Sequence, residues 1–512
     1  MRSKLLLVLI LILATALRLY HVAAISLWHD EAFSALLIKY PWHEMFYRIG
    51  LDVHPPIYYV LLRFWYYVFG WSVFALRGFS VFFGVGMVLA GYLFVKEAFG
   101  NEKAALFCAL ILAINPFQTQ YVTEARMYTL GTFLALISAY FLVKAFKAQR
   151  QYFAEKTAGA ISHKAIDAVW GNWFLFALAT SLSIYTHYYL FFTAAGIGLY
   201  GLFYLYKNFK FKWEQWRYFI AAYVLVLLSY VPWLKTFIFQ FKQVQASYWI
   251  PKMNIWSIPL TLYELLTGAQ ADANKTAVKI VLALATIFTI YFLYRFAKTE
   301  KHFEKWLVIL GVLAPFAGAV LLSLKQSIFL DRYFIFASLF YTIALVIFLL
   351  NIKRKAVGYA LLAALIAVNL YNFRKNWQNL DVSQRPGMSA AAQFLNDNAQ
   401  GGQKIDVASS FEFFNFKYYN HTGIKPQLYT DGLSIQNLPH FSGTALMSAD
   451  DILKNFSENA SPGNIVWVIW TNGFGGTAPA VPLNWQEKSH HSWPDVRPYL
   501  GTNIVVDKYL VK

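Results

Sequence analysis

About eleven apolar runs, each close to the roughly 20 residues a helix needs to cross a bilayer, constrain this 512-residue chain more than anything else in it. Their cores lie near residues 5–24, 79–95, 104–122, 127–146, 173–185, 188–206, 218–234, 280–292, 306–324, 333–350 and 356–370. Only 14% of residues are charged, against about 25% in soluble domains, and the mean hydropathy is +0.43. The expected class is a polytopic α-helical membrane protein. Its net charge of +18 does not argue for nucleic acid, because the Lys and Arg sit in clusters between the apolar runs, as retention on the inner face of a membrane requires. The single cysteine, Cys108, lies inside an apolar run, so no intramolecular disulfide and no cysteine-based metal site can form.

Charge sets the topology. With Arg2 and Lys4 inside, the clusters Lys96/Lys103, 144–164, 207–217, 295–305 and 353–355 all fall inside if residues 57–71 do not cross the membrane. That segment is short, carries Arg63 and follows Pro55-Pro56, and it reads as a juxtamembrane helix in the outer interface. The first run reads as an uncleaved helix, no small-residue cleavage pattern following it. Residues 26–77, 123–126, 235–275, 325–332 and the turn at His187 then lie outside. From residue 372 the composition changes to Gly, Asn, Ser, Asp and Pro with short β-branched runs at 405–408, 465–469 and 504–506, and a helix is expected at 390–395. The expected division is a membrane domain over 1–371 and an extracytoplasmic α/β domain over 372–512.

The ionisable residues at the outer boundary are Asp30, Glu31, Asp52, His54, Glu124, Arg126, His187 and Arg332. Polar groups are expensive there, which makes each a functional candidate. Asp30 and Glu31 are neighbours, and like charges at a partly desolvated boundary suit a general base working near neutral pH. Asp30 could equally cap a helix beginning at Glu31, and the two roles can coexist. His29 reads as an interfacial residue. Asp52, in Asp52-Val53-His54-Pro55-Pro56, is either an incidental acid at a helix start or a second acid directed at Asp30. Asp30, Asp52 and His54 together could ligate a divalent metal, although no fixed spacing calls for one. Arg126 beside Glu124, and Arg332 beside Asp331, fit ion pairs or interfacial anchors; two guanidiniums on one membrane face also suit a lipid-borne phosphate. Glu124, Tyr128, His187 and Tyr333 are candidate substrate contacts.

The stretch Trp28-His29-Asp30-Glu31-Ala32-Phe33-Ser34, then His54-Pro55-Pro56 leading to Tyr58-Tyr59, then Glu124-Ala125-Arg126-Met127-Tyr128, closely resembles the bacterial branch of the protein O-mannosyltransferase-like glycosyltransferases. Those enzymes have the GT-C fold and are related to the aminoarabinose transferases of lipid A. Leu76-Arg77, Thr186-His187-Tyr188 and Asp331-Arg332-Tyr333 continue the resemblance over residues 1–375, with Gln384-Arg385-Pro386 and Tyr418-Tyr419 beyond. It implies that Asp30 is the base or acceptor-orienting aspartate with Glu31 as partner. It also implies that Arg126 and Arg332 hold the phosphate of a polyprenyl-phosphate sugar. His54 stands where several relatives carry Lys, a departure that weakens the phosphate contact or makes it pH-dependent. Some GT-C enzymes use a metal and others none.

The expected function is transfer of a hexosyl or pentosyl group from a polyprenyl-phosphate donor to a hydroxyl or phosphate of a glycan, lipid or protein acceptor. The expected location is the outer face of a bacterial cytoplasmic membrane, with membrane lipids and no nucleic acid as partners. A transporter or flippase of a lipid-linked saccharide would instead show paired broken helices and midplane charges. A non-catalytic glycan-assembly protein would act through residues 372–512.

Overall fold

The computed structural model describes residues 2–20, 22–246, 249–378, 386–459, 461–495 and 501–512; Gln384 and Arg385 of the second motif lie outside them. In chain order the helices are α1 (Arg2–Leu19), α2 (His29–Leu37), α3 (Trp42–Leu51), α4 (Ile57–Phe69), α5 (Val73–Phe99), α6 (Glu102–Ile114), α7 (Pro116–Val122), α8 (Tyr128–Thr157) and α9 (His163–Ile184). There follow α10 (Leu190–Phe209), α11 (Trp213–Ala246), α12 (Ser257–Thr267), α13 (Thr276–Thr299), α14 (Lys305–Ser323), a 3₁₀ turn at Asp331–Phe334, α15 (Ile335–Leu350) and α16 (Lys355–Gln378). Helices α17 (Gly387–Asn398) and α18 (Ser410–Tyr419) are interleaved with six strands: β1 (Lys404–Val407), β2 (Gln427–Tyr429), β3 (Ile452–Leu453), β4 (Ile465–Thr471), β5 (Trp485–Asp495) and β6 (Thr502–Val511). Two compact units result. One holds Met1–Tyr20, His54–Tyr58 and Phe79–Arg374; the other holds His21–Val53, Tyr59–Gly78 and Lys375–Lys512.

The first unit is a helical bundle. Among the described residues nine segments are long and apolar enough to cross a membrane: α5, α8, α9, α10, α11, α13, α14, Asp331–Leu350 and α16. A tenth arises if α6 and α7, bent by 56°, count as one span. The eleventh run forms α1, 18 residues long, whose Arg2, Lys4 and Arg18 keep it off that count. Helix α4 has 13 residues, about 20 Å of rise and short of a bilayer core.

The bend has a local cause. Pro116 brings no N–H and starts α7, and the Asn115 side chain accepts from the N–H of Gln118 at 3.1 Å. The carbonyls this leaves at the end of α6 are taken by Arg18, whose guanidinium donates to Leu112 O at 3.0 Å and Ala113 O at 2.8 Å. Helix α15 is apolar around its whole circumference and buried among the others, as a fully enclosed helix must be. Backbones come close where small residues allow it: a Cβ on Gly196 of α10 would lie 2.7 Å from Leu310 O of α14.

The second unit is built on a six-stranded sheet of order β3-β2-β1-β4-β6-β5, parallel from β3 to β4 and antiparallel across β4-β6-β5. The β-branched runs expected as strands are β1, β4 and β6. Strand β5 is an edge whose exposed Gln486, Glu487 and Lys488 discourage further pairing. Leu453, Phe456, Val466, Val468, Trp485, Tyr509 and Val511 form a core on this sheet. The first loop, apart from His54–Tyr58, belongs to this unit: α18 packs on α2, Leu27 N–H donates to Tyr419 Oη at 2.9 Å, and Tyr418 Oη donates to Trp71 O at 2.6 Å. Ser26 Oγ donates to Pro386 O and accepts from Ser389 N–H, both at 3.0 Å.

Candidate active site

Three of the candidate residues lie in the second unit. Helix α2 begins at His29 with Trp28 as N-cap, so Asp30 is not the cap of a helix starting at Glu31 but a member of its first turn. A half-buried carboxylate there still meets the positive end of the helix dipole. Glu31 follows it at the third helical position, where its Oε2 accepts the N–H of Trp28 at 3.4 Å. It is fully buried, and Arg77 donates to Oε1 at 2.8 Å and to Oε2 at 2.7 Å. That pairing compensates the Glu31 charge. His29 is not interfacial: it is buried, with its ring against Phe411 and Phe414, each at 5.5 Å. Asp52 is half-buried and ends α3, where its backbone N–H bonds to Arg48 O and Ile49 O. An acid at the negative end of a helix is disfavoured by the dipole, so helix termination does not account for it, and it starts no helix.

The remaining candidates lie in the first unit, where three of them, His54, Tyr128 and Tyr333, surround His187. This residue sits between α9 and α10, with ring centroids 5.1 Å from Tyr333, 5.2 Å from Phe336, 5.9 Å from Tyr128 and 6.3 Å from His54. Burial, reinforced by His54, Arg126 and Arg332, holds its pKa well below the usual histidine value, so the ring is neutral. Its Nδ1 accepts from the N–H of Tyr189 at 3.1 Å, which leaves the proton on Nε2. Arg126, itself buried, has Nη2 3.2 Å from His54 Nε2, within hydrogen-bond reach. The segment carrying Arg126 is fixed by Ser80, whose hydroxyl donates to Glu124 O at 2.6 Å, and by Arg126 N–H, which donates to the same carbonyl at 2.8 Å.

Arg332 leaves the 3₁₀ turn that opens α15 and lies over the Trp249 ring at 5.5 Å. The unit therefore gathers two guanidiniums and one neutral imidazole N–H, an anion-binding set. Among the described residues no three His, Cys, Asp or Glu side chains could hold a metal ion.

Sequence reasoning gave no role to Arg77, Ser80 or Trp249. Arg77 stood in the sequence only as part of the Leu76-Arg77 motif, and the others carried no signal.

No protein-family model and no curated protein matches this chain. Solved structures do. ArnT from Cupriavidus metallidurans superposes in its apo state with a TM-score of 0.61 at 12% identity, covering 99% of this chain and 98% of that one. The same protein bound to undecaprenyl phosphate gives 0.56 at 12% identity, with 98% and 97% covered. The archaeal oligosaccharyltransferase AglB from Archaeoglobus fulgidus, in complex with an inhibitory peptide and a dolichol-phosphate, gives 0.53 at 12% identity, covering 91% of this chain and 69% of that one. The fold is thus the GT-C type that the motifs implied: a multi-pass helical bundle with a C-terminal sheet domain.

Proposed function

We propose that this chain is an integral membrane glycosyltransferase that moves a sugar from a polyprenyl-phosphate donor to an acceptor hydroxyl or phosphate on the outer face of a bacterial cytoplasmic membrane. The observation that carries the reading is likeness along nearly the whole length to a protein solved with undecaprenyl phosphate bound. The chemistry of the first unit agrees with it. In this reading Arg126 and Arg332 hold the donor phosphate, His187 Nε2–H donates to it, and His54 orients Arg126. Glu124, Tyr128 and Tyr333 line the approach.

Asp30 takes the proton of the acceptor as the acceptor oxygen bonds to the anomeric carbon and the bond from that carbon to the phosphate oxygen breaks. The leaving phosphate is stabilised by the cations. Asp52 assists as a second acid, and Glu31 positions the loop through Arg77. Residues 372–512 form an extracytoplasmic acceptor-side domain. The donated sugar belongs to the hexose or pentose class; the acceptor is a glycan, lipid or protein. The transporter reading expects broken helices in pairs, and the described residues contain a single bent span, α6 with α7.

The test uses the full chain in membranes supplied with a labelled polyprenyl-phosphate sugar. Wild type transfers label to an envelope fraction, and Asp30→Asn loses transfer by about 10²-fold or more. Wild-type rates in Asp30→Asn exclude Asp30 as the base, and no transfer by wild type from any such donor rejects the function.

A further inference from the structure

Helices α3 and α4 meet through their side chains and leave an aromatic face uncovered. The Trp42 ring lies 5.5 Å from that of Phe64 and 6.3 Å from that of Phe46. Phe64, Tyr67, Val68 and Phe69 are each more than half exposed, and Trp42 and Phe46 more than a third. On α4, Phe64, Tyr67 and Val68 follow helical spacing, while Tyr59 and Leu62 on the opposite side are buried. A contiguous apolar face of this kind marks an interaction.

Set into the face is Arg63, only 7% exposed. Its guanidinium carbon lies 4.3 Å from the centre of the Trp42 ring and 5.5 Å from that of Tyr67. Nε donates to Tyr67 Oη at 2.7 Å, and Nη1 donates to Tyr40 O and lies 3.8 Å from Met45 Sδ. Among the described residues no carboxylate pairs with Arg63, and no acceptor takes Nη2. The ring faces and the carbonyl offset part of the cost of burying the charge. The N–H groups of Nη2 remain for an anion.

The setting selects the anion. Gly70, Trp71 and Ser72 alone separate α4 from α5, a helix long and apolar enough to cross a membrane. That turn is held in place: Trp71 Nε1 donates to Ala35 O at 3.0 Å, and the Lys39 ammonium lies 3.5 Å from the centre of the Trp71 ring. The face therefore stands where a span begins, the depth at which Trp and Tyr collect and Arg or Lys turn their charge toward the headgroups. A phospholipid brings a phosphate and apolar chains to that depth in one molecule, and a guanidinium fork matches phosphate.

We propose that the α3–α4 face docks on membrane lipid, with Arg63, boxed by Trp42 and Tyr67, receiving the phosphate of a phospholipid while the exposed rings enter the acyl boundary. The site shares no residue with the set assigned to the donor, and it does not depend on the glycosyltransferase reading.

The test reads Trp42 fluorescence in the full-length protein in lipid nanodiscs, as the difference between wild type and Trp42→Phe. The nanodiscs are alike except for one quencher lipid. It is either phosphatidylglycerol or a phosphate-free glycosyl diacylglycerol, each with the same spin label on its acyl chain. Both lipids should quench Trp42, the phosphatidylglycerol at about tenfold lower mole fraction. Arg63→Gln, measured against Arg63→Gln/Trp42→Phe, should keep the quenching and lose the preference. No quenching by either lipid overturns the proposal and gives the face to a protein partner or a second copy of this chain. Equal quenching by both lipids in wild type overturns it as well, as does a preference that survives in Arg63→Gln. If Arg63→Gln does not fold, the wild-type comparison of the two lipids still decides.

Discussion

Arg77 grips Glu31 by both carboxylate oxygens, at 2.8 and 2.7 Å, and gives its remaining hydrogens to the carbonyls of Val22, Ile25 and Ser26. The side chain thereby ties the start of α5 to three carbonyls ahead of α2 and to the helix itself. Breaking one side of such a buried pair leaves an uncompensated charge and costs about 3–5 kcal/mol. Glu31→Gln and Arg77→Met are each expected to lower the unfolding midpoint of the purified protein sharply, and the double variant Glu31→Leu/Arg77→Met less than either. Glu31→Gln with an unchanged midpoint and lost turnover would mean that Glu31 takes part in the chemistry.

Arg126 and Arg332 are expected to act on donor binding before turnover. A charge-assisted contact to phosphate contributes about 1.5–3 kcal/mol, so Ala at either position should raise the donor KM by about tenfold to hundredfold. Lys at Arg126 keeps the charge without the fork and should recover part of it. Steady-state kinetics with varied donor checks this; an unchanged donor KM in both Ala variants removes them from the phosphate contact.

His187 gives a stability signature in acid. Its folded pKa is depressed, so the unfolded chain binds the extra proton first as pH falls below about 6.5. Stability is complete above that value and is lost below it by up to about 1.4 kcal/mol per pH unit, as long as the folded ring stays neutral. Denaturation series should show a shallower acid slope for His187→Gln than for wild type.

Asp406 produces the opposite slope. Burial pushes its carboxyl up to about 7, against a hydrogen bond from Asn459 at 2.8 Å. The folded state holds the proton more tightly, so stability falls as pH rises from about 4 to about 7, by at most about 4 kcal/mol. Asp406→Asn should raise the stability of the sheet-bearing unit at pH 8 and change it little at pH 4. Equal effects at both pH values would mean that the residue is not protonated when folded.

The bundle was legible because a bilayer enforces length and apolarity residue by residue, and every run expected as a span is helical. The bend at Asn115-Pro116 was not assigned, although Pro116 marks it, because the Arg18 that takes the freed carbonyls is remote in sequence. In the loops, α3 and α12 were invisible, being held by tertiary contacts such as Arg48 Nη1 donating to Ala445 O at 2.9 Å. Strand β5 hid behind its charges, and β2 and β3 are too short to show a period. The motifs singled out Asp30, Arg126, His187 and Arg332, but Glu31 gave no hint in sequence that its carboxylate is held by Arg77.

Ser26 meets Ser389 across 363 residues of chain, and Leu27 meets Tyr419 across 392. A ribosome adding about 5–20 residues per second takes roughly 20–80 s to cover that distance. During that interval the loop bearing Asp30 has been made and its partner helix has not. The second unit can close only after the last transmembrane segment has been threaded. Maturation of the carboxylate loop is therefore a late event in biogenesis, and any lesion that delays the end of the chain acts first on the residues near its beginning.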